Sequence, residues 1–162
     1  MSTITVERRV HVEAPPAAVL PHLADLTRWR SWSPWEGADP DLHREYTGDP
    51  GTVGATYAWS GNRKAGAGTM RVTEVEPSGV GIALDFTKPF RSSNVIRFEL
   101  TPSGTDTDTD TDTGFGSGTC TDVVWRMESP RTFMTRIFPL EKLVGPDFEK
   151  GLRQLKATVE RG

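Results

Sequence analysis

The stretch LEKLVGPDFEKGLRQLKATV, Leu140 to Val159, decides the fold of this chain. Its apolar residues Leu140, Val144, Phe148, Leu152, Leu155 and Val159 recur at steps of four, four, four, three and four, the stripe of an α-helix. Lys142, Glu149, Lys150, Arg153, Lys156 and Glu160 occupy the other faces. A long amphipathic helix that follows many strand-like segments needs a sheet on which to bury its stripe. Pro139 and Gly145-Pro146 interrupt the pattern, so the spacing predicts a well-formed helix from Pro146 to Glu160. Gly151 sits mid-helix, where glycine costs about 1 kcal/mol relative to alanine. That cost implies a packing or cavity reason, and the expectation here is a cavity roof, with Phe148 and Leu152 reaching down on either side.

Upstream of the helix, the periodicity changes to two. Ile4, Val6, Val10 and Val12 alternate with polar residues, with Arg8 the one misfit. Pro15-Pro16 opens a short helix over Ala17 to Ala24, in which Pro21 is awkward, and Asp25 is placed to cap a further turn. Trp29, Trp32 and Trp35 then follow at steps of three. They read as a plug at one end of the core or, for one or two of them, as the mouth of a pocket. Further strands are expected near Arg44 to Thr47, Ala55 to Trp59, Gly66 to Glu76, Val80 to Thr87, Val95 to Leu100 and Thr119 to Met127. Gly66 and Gly68 predict a bulge or a close backbone approach. The acidic Thr-Asp repeat from Thr105 to Asp112 has no apolar residue to bury, and the segment from about 102 to 118 that contains it is expected to be a flexible hairpin loop.

Composition removes several function classes. The 162 residues suit one domain with a sizeable core. A formal charge of -3 and the lack of a basic run argue against nucleic acid and against a polybasic membrane patch. No stretch is long and apolar enough for membrane insertion, and the N-terminus lacks a signal-peptide core, so a cytoplasmic protein is expected. Cys120 is the single cysteine, and His11, His22 and His43 have no metal-ligand spacing, so neither a metal nor a cofactor is expected. The aspartates of the Thr-Asp repeat lack the glycine and glutamate of a calcium loop. Gly66-Ala67-Gly68 lacks the third glycine of a dinucleotide loop and precedes a strand.

The whole chain resembles the START/Bet v 1-like (SRPBCC) superfamily, and within it the polyketide cyclase/dehydrase-like family. The resemblance is carried by Asp25 with Trp29 and Trp32-Ser33-Pro34-Trp35, by Tyr57-Ala58-Trp59-Ser60-Gly61-Asn62 followed by Gly66-Ala67-Gly68-Thr69-Met70, and by Gly145-Pro146-Asp147-Phe148-Glu149-Lys150-Gly151-Leu152 with Leu155-Lys156. It implies an α+β helix-grip fold. In that fold a curved, seven-stranded antiparallel sheet wraps a long C-terminal helix, two short helices sit near the N-terminus, and a lipophilic cavity lies between sheet and helix. It implies no reaction, because fold alone does not give function.

No catalytic set emerges from the residues. Tyr57, Arg71, Asp85, Asn94, Arg97 and Asp122 are the polar candidates for acid–base work. Alternation turns Arg71, Asp85, Arg97 and Asp122 away from the apolar strand faces, toward cross-strand pairing on the outside. The apolar lining is the stronger feature. Trp59, Met70, Val72, Leu84, Phe86, Ile96, Phe98, Val123, Trp125 and Met127 are expected to face Phe148, Leu152 and Leu155. With Trp35 and Tyr57 added to a part of this lining, Trp35, Tyr57, Trp59, Met70, Phe86, Phe98, Trp125, Phe148 and Leu152 are the candidate ligand-binding residues. The leading expectation is a protein that binds a small lipophilic or aromatic molecule. The alternatives are a cyclase or dehydratase using a polar cavity residue, and a protein-interaction module of the kind that stimulates a chaperone ATPase.

Overall fold

The period-two segments become strands and the period-3.6 segment a helix. The computed structural model describes residues 3–34, 40–62, 66–88, 91–103, 120–130 and 140–161. In chain order these form β1 (Thr3–Val12), α1 (Pro16–Ala24), a 3-10 segment (Leu26–Ser31), β2 (His43–Thr47), β3 (Thr56–Ser60), β4 (Ala67–Glu76), β5 (Gly79–Lys88), β6 (Ser92–Ser103), β7 (Cys120–Pro130) and α2 (Leu140–Arg161). The strands make one antiparallel sheet in the order β1-β7-β6-β5-β4-β3-β2. It is a meander from β2 to β7 to which β1 returns as the far edge. The Thr-Asp repeat and the cluster of Phe133, Met134, Ile137 and Phe138 lie outside the described residues, as does Pro139.

The inner face is the one that alternation marked. Val6, Val12, Val72, Val80, Ile82, Leu84, Ile96, Phe98, Leu100, Val123, Trp125 and Met127 are buried on it. Trp29 and Trp32 plug one end. Asp25 accepts hydrogen bonds from the Thr27 backbone N–H at 3.0 Å and the Thr27 hydroxyl at 2.6 Å, holding the turn that carries both rings. Both of these indoles keep a hydrogen-bond partner. Trp29 Nε1 donates to the Leu23 carbonyl at 3.0 Å and Trp32 Nε1 to the His22 carbonyl at 2.9 Å. The bond offsets the cost of taking the indole N–H out of water.

The C-terminal helix differs from expectation in extent. α2 is continuous from Leu140 through Gly145-Pro146 to Arg161. Pro146 is exposed, as is Lys142 one turn earlier. The carbonyl deprived of its donor by the proline ring is thus on the wet side of the helix, where water replaces the bond.

Polar ties run α2 along β1. Arg8 Nε donates to Glu149 at 2.8 Å, Lys156 Nζ to the His11 carbonyl at 3.0 Å, and the Glu13 N–H to Glu160 at 2.7 Å. Arg8, which broke the alternation of its strand, lies beneath the helix at Gly145, where a Cβ would run into its guanidinium. Gly151 is a similar contact and not the cavity roof expected. A Cβ there would lie 2.8 Å from Pro34 Cδ and 3.0 Å from Trp125 Cζ3. The missing side chain lets the helix backbone descend onto a filled interior. Beside it Phe148 stacks on Trp125 with ring centroids 4.0 Å apart and planes 6° apart.

The outer face carries cross-strand polar pairs, and Arg97 and Asp122 are among them as the alternation predicts. Arg126 bridges Glu7 at 3.1 Å and Glu99 at 2.8 Å, Arg97 pairs with Glu74, and Asp122 meets His11 at 2.8 Å. The hydrogen bond from Arg126 holds the Glu7 carboxyl below its ordinary value of 4.5. A carboxyl lowered by folding contributes stability that is complete above about pH 4.5 and is lost as pH falls through its folded value. Glu7→Gln is therefore expected to flatten the acid limb of a stability-versus-pH curve while changing stability at pH 7 by less than about 1 kcal/mol. An unchanged acid limb contradicts the assignment. Gly151→Ala gains about 1 kcal/mol of helix propensity but must displace Pro34 or Trp125, and overpacking costs about 1–3 kcal/mol. A net loss of stability in urea titration is expected, and a gain would show that the seat relaxes.

Candidate functional site

Away from α2, the inner face of β2 to β5 carries a ladder of aromatic rings. Register places Tyr46 opposite Tyr57, Tyr57 opposite Met70, and Trp59 opposite Gly68. Tyr46 stacks on Tyr57 at 4.9 Å, Tyr57 on Trp59 at 5.8 Å, and Trp59 meets Phe86 edge-on at 5.7 Å. Gly68 makes the ladder possible. A Cβ at that position would stand 2.7 Å from Trp59 Cη2, so the indole lies across bare backbone. The bulge between Ala67 and Gly68 accompanies this approach, as the two glycines predicted. Tyr57 and Met70 are buried, whereas Trp59 and Phe86 are only half-buried.

A polar cluster borders the ladder. Ser92 lies opposite Phe86 and Asn94 opposite Leu84. Asn94 Nδ2 donates to the Leu84 carbonyl at 3.1 Å, and the Ser92 hydroxyl donates to Asn94 Oδ1 at 3.1 Å. The Ser129 hydroxyl makes a second bond to Asn94 Oδ1. Asn94 and Ser129 are buried and Ser92 is half-buried.

The structure divides the candidate ligand-binding residues. Tyr57, Trp59, Met70 and Phe86 come together on the ladder. Phe98, Trp125, Phe148 and Leu152 lie apart from it in a packed block, each no more than 1% exposed. Trp29 and Trp32 fill the space beside them, meeting Phe98 and Trp125 edge-on at centroid distances of 5.5–6.1 Å. Side chains without accessible surface border no space that a water could enter, so these four have neighbours where a cavity wall was expected. Trp35 lies outside the described residues.

Among the polar candidates, Arg97 and Asp122 are paired on the outer face, Arg71 is exposed, and only Tyr57 and Asn94 face inward. Ser92, Ser129 and Tyr46 stand outside the sequence candidates, although for the two serines the strand register carries a signal. In β6 the apolar register Ile96, Phe98, Leu100 runs back to Asn94, and in β7 the register of Trp125 and Met127 runs on to Ser129. On α1, burial first and the Arg28 charge second push the half-buried His22 imidazole below its ordinary range. Its ring Nδ1 has no hydrogen-bond partner among the described residues. No three His, Cys, Asp or Glu side chains among the described residues could hold a metal together. Nor is any helix among them long and apolar enough to cross a membrane.

From position 3 to 160 the sequence matches the family described as polyketide cyclase/dehydrase and lipid transport. The chain belongs to this family. Its fold is that of Bet v 1-like proteins. Norcoclaurine synthase from Thalictrum flavum, solved with dopamine and hydroxybenzaldehyde, superposes with a TM-score of 0.69 at 10% identity over 99% of this chain and 88% of that one. A protein from Thermobifida fusca gives 0.66 at 22% identity, covering 97% and 93%. Ara h 8.0201 gives 0.63 at 10% identity, covering 99% and 100%. At such identities these likenesses establish the helix-grip fold alone. No curated protein matches the sequence.

The seat of Trp59 on Gly68 makes a direct prediction. Gly68→Ala should push the indole off the ladder and raise quenching of tryptophan fluorescence by acrylamide, because the other described tryptophans, Trp29, Trp32 and Trp125, are fully buried. Unchanged quenching would show that β4 and β5 part instead, at the Asp85 carbonyl that the new Cβ also meets.

Proposed function

We propose that this protein binds a small, apolar, ring-bearing molecule against Trp59 and Phe86, with Tyr57 and Met70 beneath. The carrying observation is the incomplete burial of Trp59 and Phe86, which pack onto the hydrophobic core yet keep an open side. Apolar surface left in water costs about 25 cal/mol per Å², so a flat ligand covering both rings recovers that free energy. Family membership supports an apolar cargo, since the family is described by polyketides and lipids. The two compounds in the norcoclaurine synthase structure are both aromatic. Phe98, Trp125, Phe148 and Leu152 act in this reading as the rigid backing of the site, and Trp35 is a flanking residue on sequence grounds.

Binding is favoured over catalysis. Among the described residues the inner sheet face carries Arg8, Arg44, Tyr46 and Tyr57, but no carboxylate or imidazole. A cyclase or dehydratase moves protons both to and from its substrate, and for that the ladder offers the phenols of Tyr46 and Tyr57 with no carboxylate or imidazole on the same face among the described residues. The interaction-module reading has little support, because Val95 is the large apolar side chain exposed on the outer face among the described residues, and it stands between Ala83 and Glu128 in the sheet register.

Titration with a panel of two- and three-ring aromatics and medium-chain lipids, followed by melting temperature and calorimetry, tests the proposal. A true ligand stabilises by about 2.7 kcal/mol at a hundredfold excess over its Kd. Trp59→Ala should weaken binding by roughly tenfold or more, as expected for losing a stacking surface worth about 1–3 kcal/mol, while Trp59→Phe retains most of it. The absence of any shift across the panel, or equal affinity in Trp59→Ala, sinks the reading.

A further inference from the structure

The hydrogen-bond directions around Asn94 sharpen the class of ligand, and the argument rests on the binding site proposed above. The Leu84 carbonyl can only accept, so the Asn94 atom facing it at 3.1 Å must be the amide nitrogen. The second contact of Nδ2 is to the Ser92 backbone carbonyl at 3.5 Å, again an acceptor. Oδ1 therefore faces Ser92 and Ser129, and an amide oxygen only accepts. Both serine hydroxyls must donate to it. Each serine has spent its single proton on Asn94, and no other hydrogen bond to either hydroxyl exists among the described residues.

What the cluster then presents to the ladder is lone pairs. Ser92 is the accessible member, half-buried and directly across from Phe86, which touches Trp59. Asn94 and Ser129 lie behind it, buried at 4% and 3% exposure. A carbonyl, ether or carboxylate placed at Ser92 meets oxygen lone pairs with no proton between them. To donate outward, Ser92 must abandon Asn94. A ligand bearing O–H or N–H meets no such conflict.

We propose that the site selects ring-bearing ligands that carry a hydrogen-bond donor, phenols above all, with Ser92 Oγ as the acceptor. Asn94 is the positioning residue that fixes this polarity. Ser129 supplies the second hydroxyl on Oδ1 and so helps keep the amide oxygen turned toward Ser92, which goes on donating to Asn94 while it accepts from a ligand.

The test uses four probes of one ring system in calorimetry: naphthalene, 2-naphthol, 2-methoxynaphthalene and 2-naphthoate. With the full chain, 2-naphthol should bind about five- to tenfold more tightly than 2-methoxynaphthalene, the worth of one net hydrogen bond of about 1 kcal/mol. The naphthoate should bind most weakly. Ser92→Ala should abolish the naphthol preference while naphthalene still binds, which separates a lost contact from a damaged fold. Ser129→Ala, which keeps Ser92 on Asn94, should retain the preference. Equal affinity for naphthol and its methyl ether, or a preference that survives Ser92→Ala, overturns the selectivity and leaves the aromatic site standing. Failure of all four probes to bind overturns both.

Discussion

Everything in this fold depends on how closely one helix can approach one sheet. The stripe of α2 could rest on the inner face at ordinary helix-to-sheet spacing and leave a gap. Gly151 removes the side chain that would hold it off, so Pro34 and the Trp125 ring meet the helix backbone and Phe148 lies flat on Trp125. Gly145 repeats the device over Arg8. Polar ties to β1 then set the direction of the helix, since Glu149, Lys156 and Glu160 all reach that strand or its end. A helix held close at one edge fills the interior there, and the plug of Trp29 and Trp32 completes it.

That asymmetry gives the rest of the sheet its character. At the filled end, aromatic rings meet in tilted, edge-on and stacked pairs and have no surface left. At the other, Tyr46, Tyr57, Trp59 and Phe86 form a ladder whose last two rings keep an open side. The polar groups of the inner face follow the same division. The deep Asn94 amide and Ser129 hydroxyl are paired with each other, which offsets a desolvation cost of about 1–3 kcal/mol for each group. A half-buried hydroxyl at the edge of that network, Ser92, is the one whose free lone pairs can matter to a ligand.

Much of this was legible along the chain. Period two marked the strands and their inner faces because only one side of an antiparallel sheet is buried. The same alternation sent Arg97 and Asp122 outward to their partners. Proline and the Asp25 cap marked the short N-terminal elements through local backbone chemistry. Arg8 and Gly151 were visible as exceptions to their patterns, yet their meaning was not, since each is explained by an atom more than a hundred residues or some twenty-six residues away. A local rule reads Pro146 as a break because it cannot know which side of a helix will face water.

The sequence by itself determined the strand faces, the presence of the helix and the family, all of which rest on short-range periodicity and on ordered motifs. Only the tertiary structure decided which apolar residues face one another and which keep an open side. Phe98 and Phe86 sit alike on alternating strands, and nothing local separates them. Phe98 is sealed by Trp29 and Trp32 arriving from the N-terminal turn, while Phe86 meets Trp59 across Gly68 and stays half in the open. Burial is a property of what packs on a side chain, and that is fixed by contacts distant in sequence.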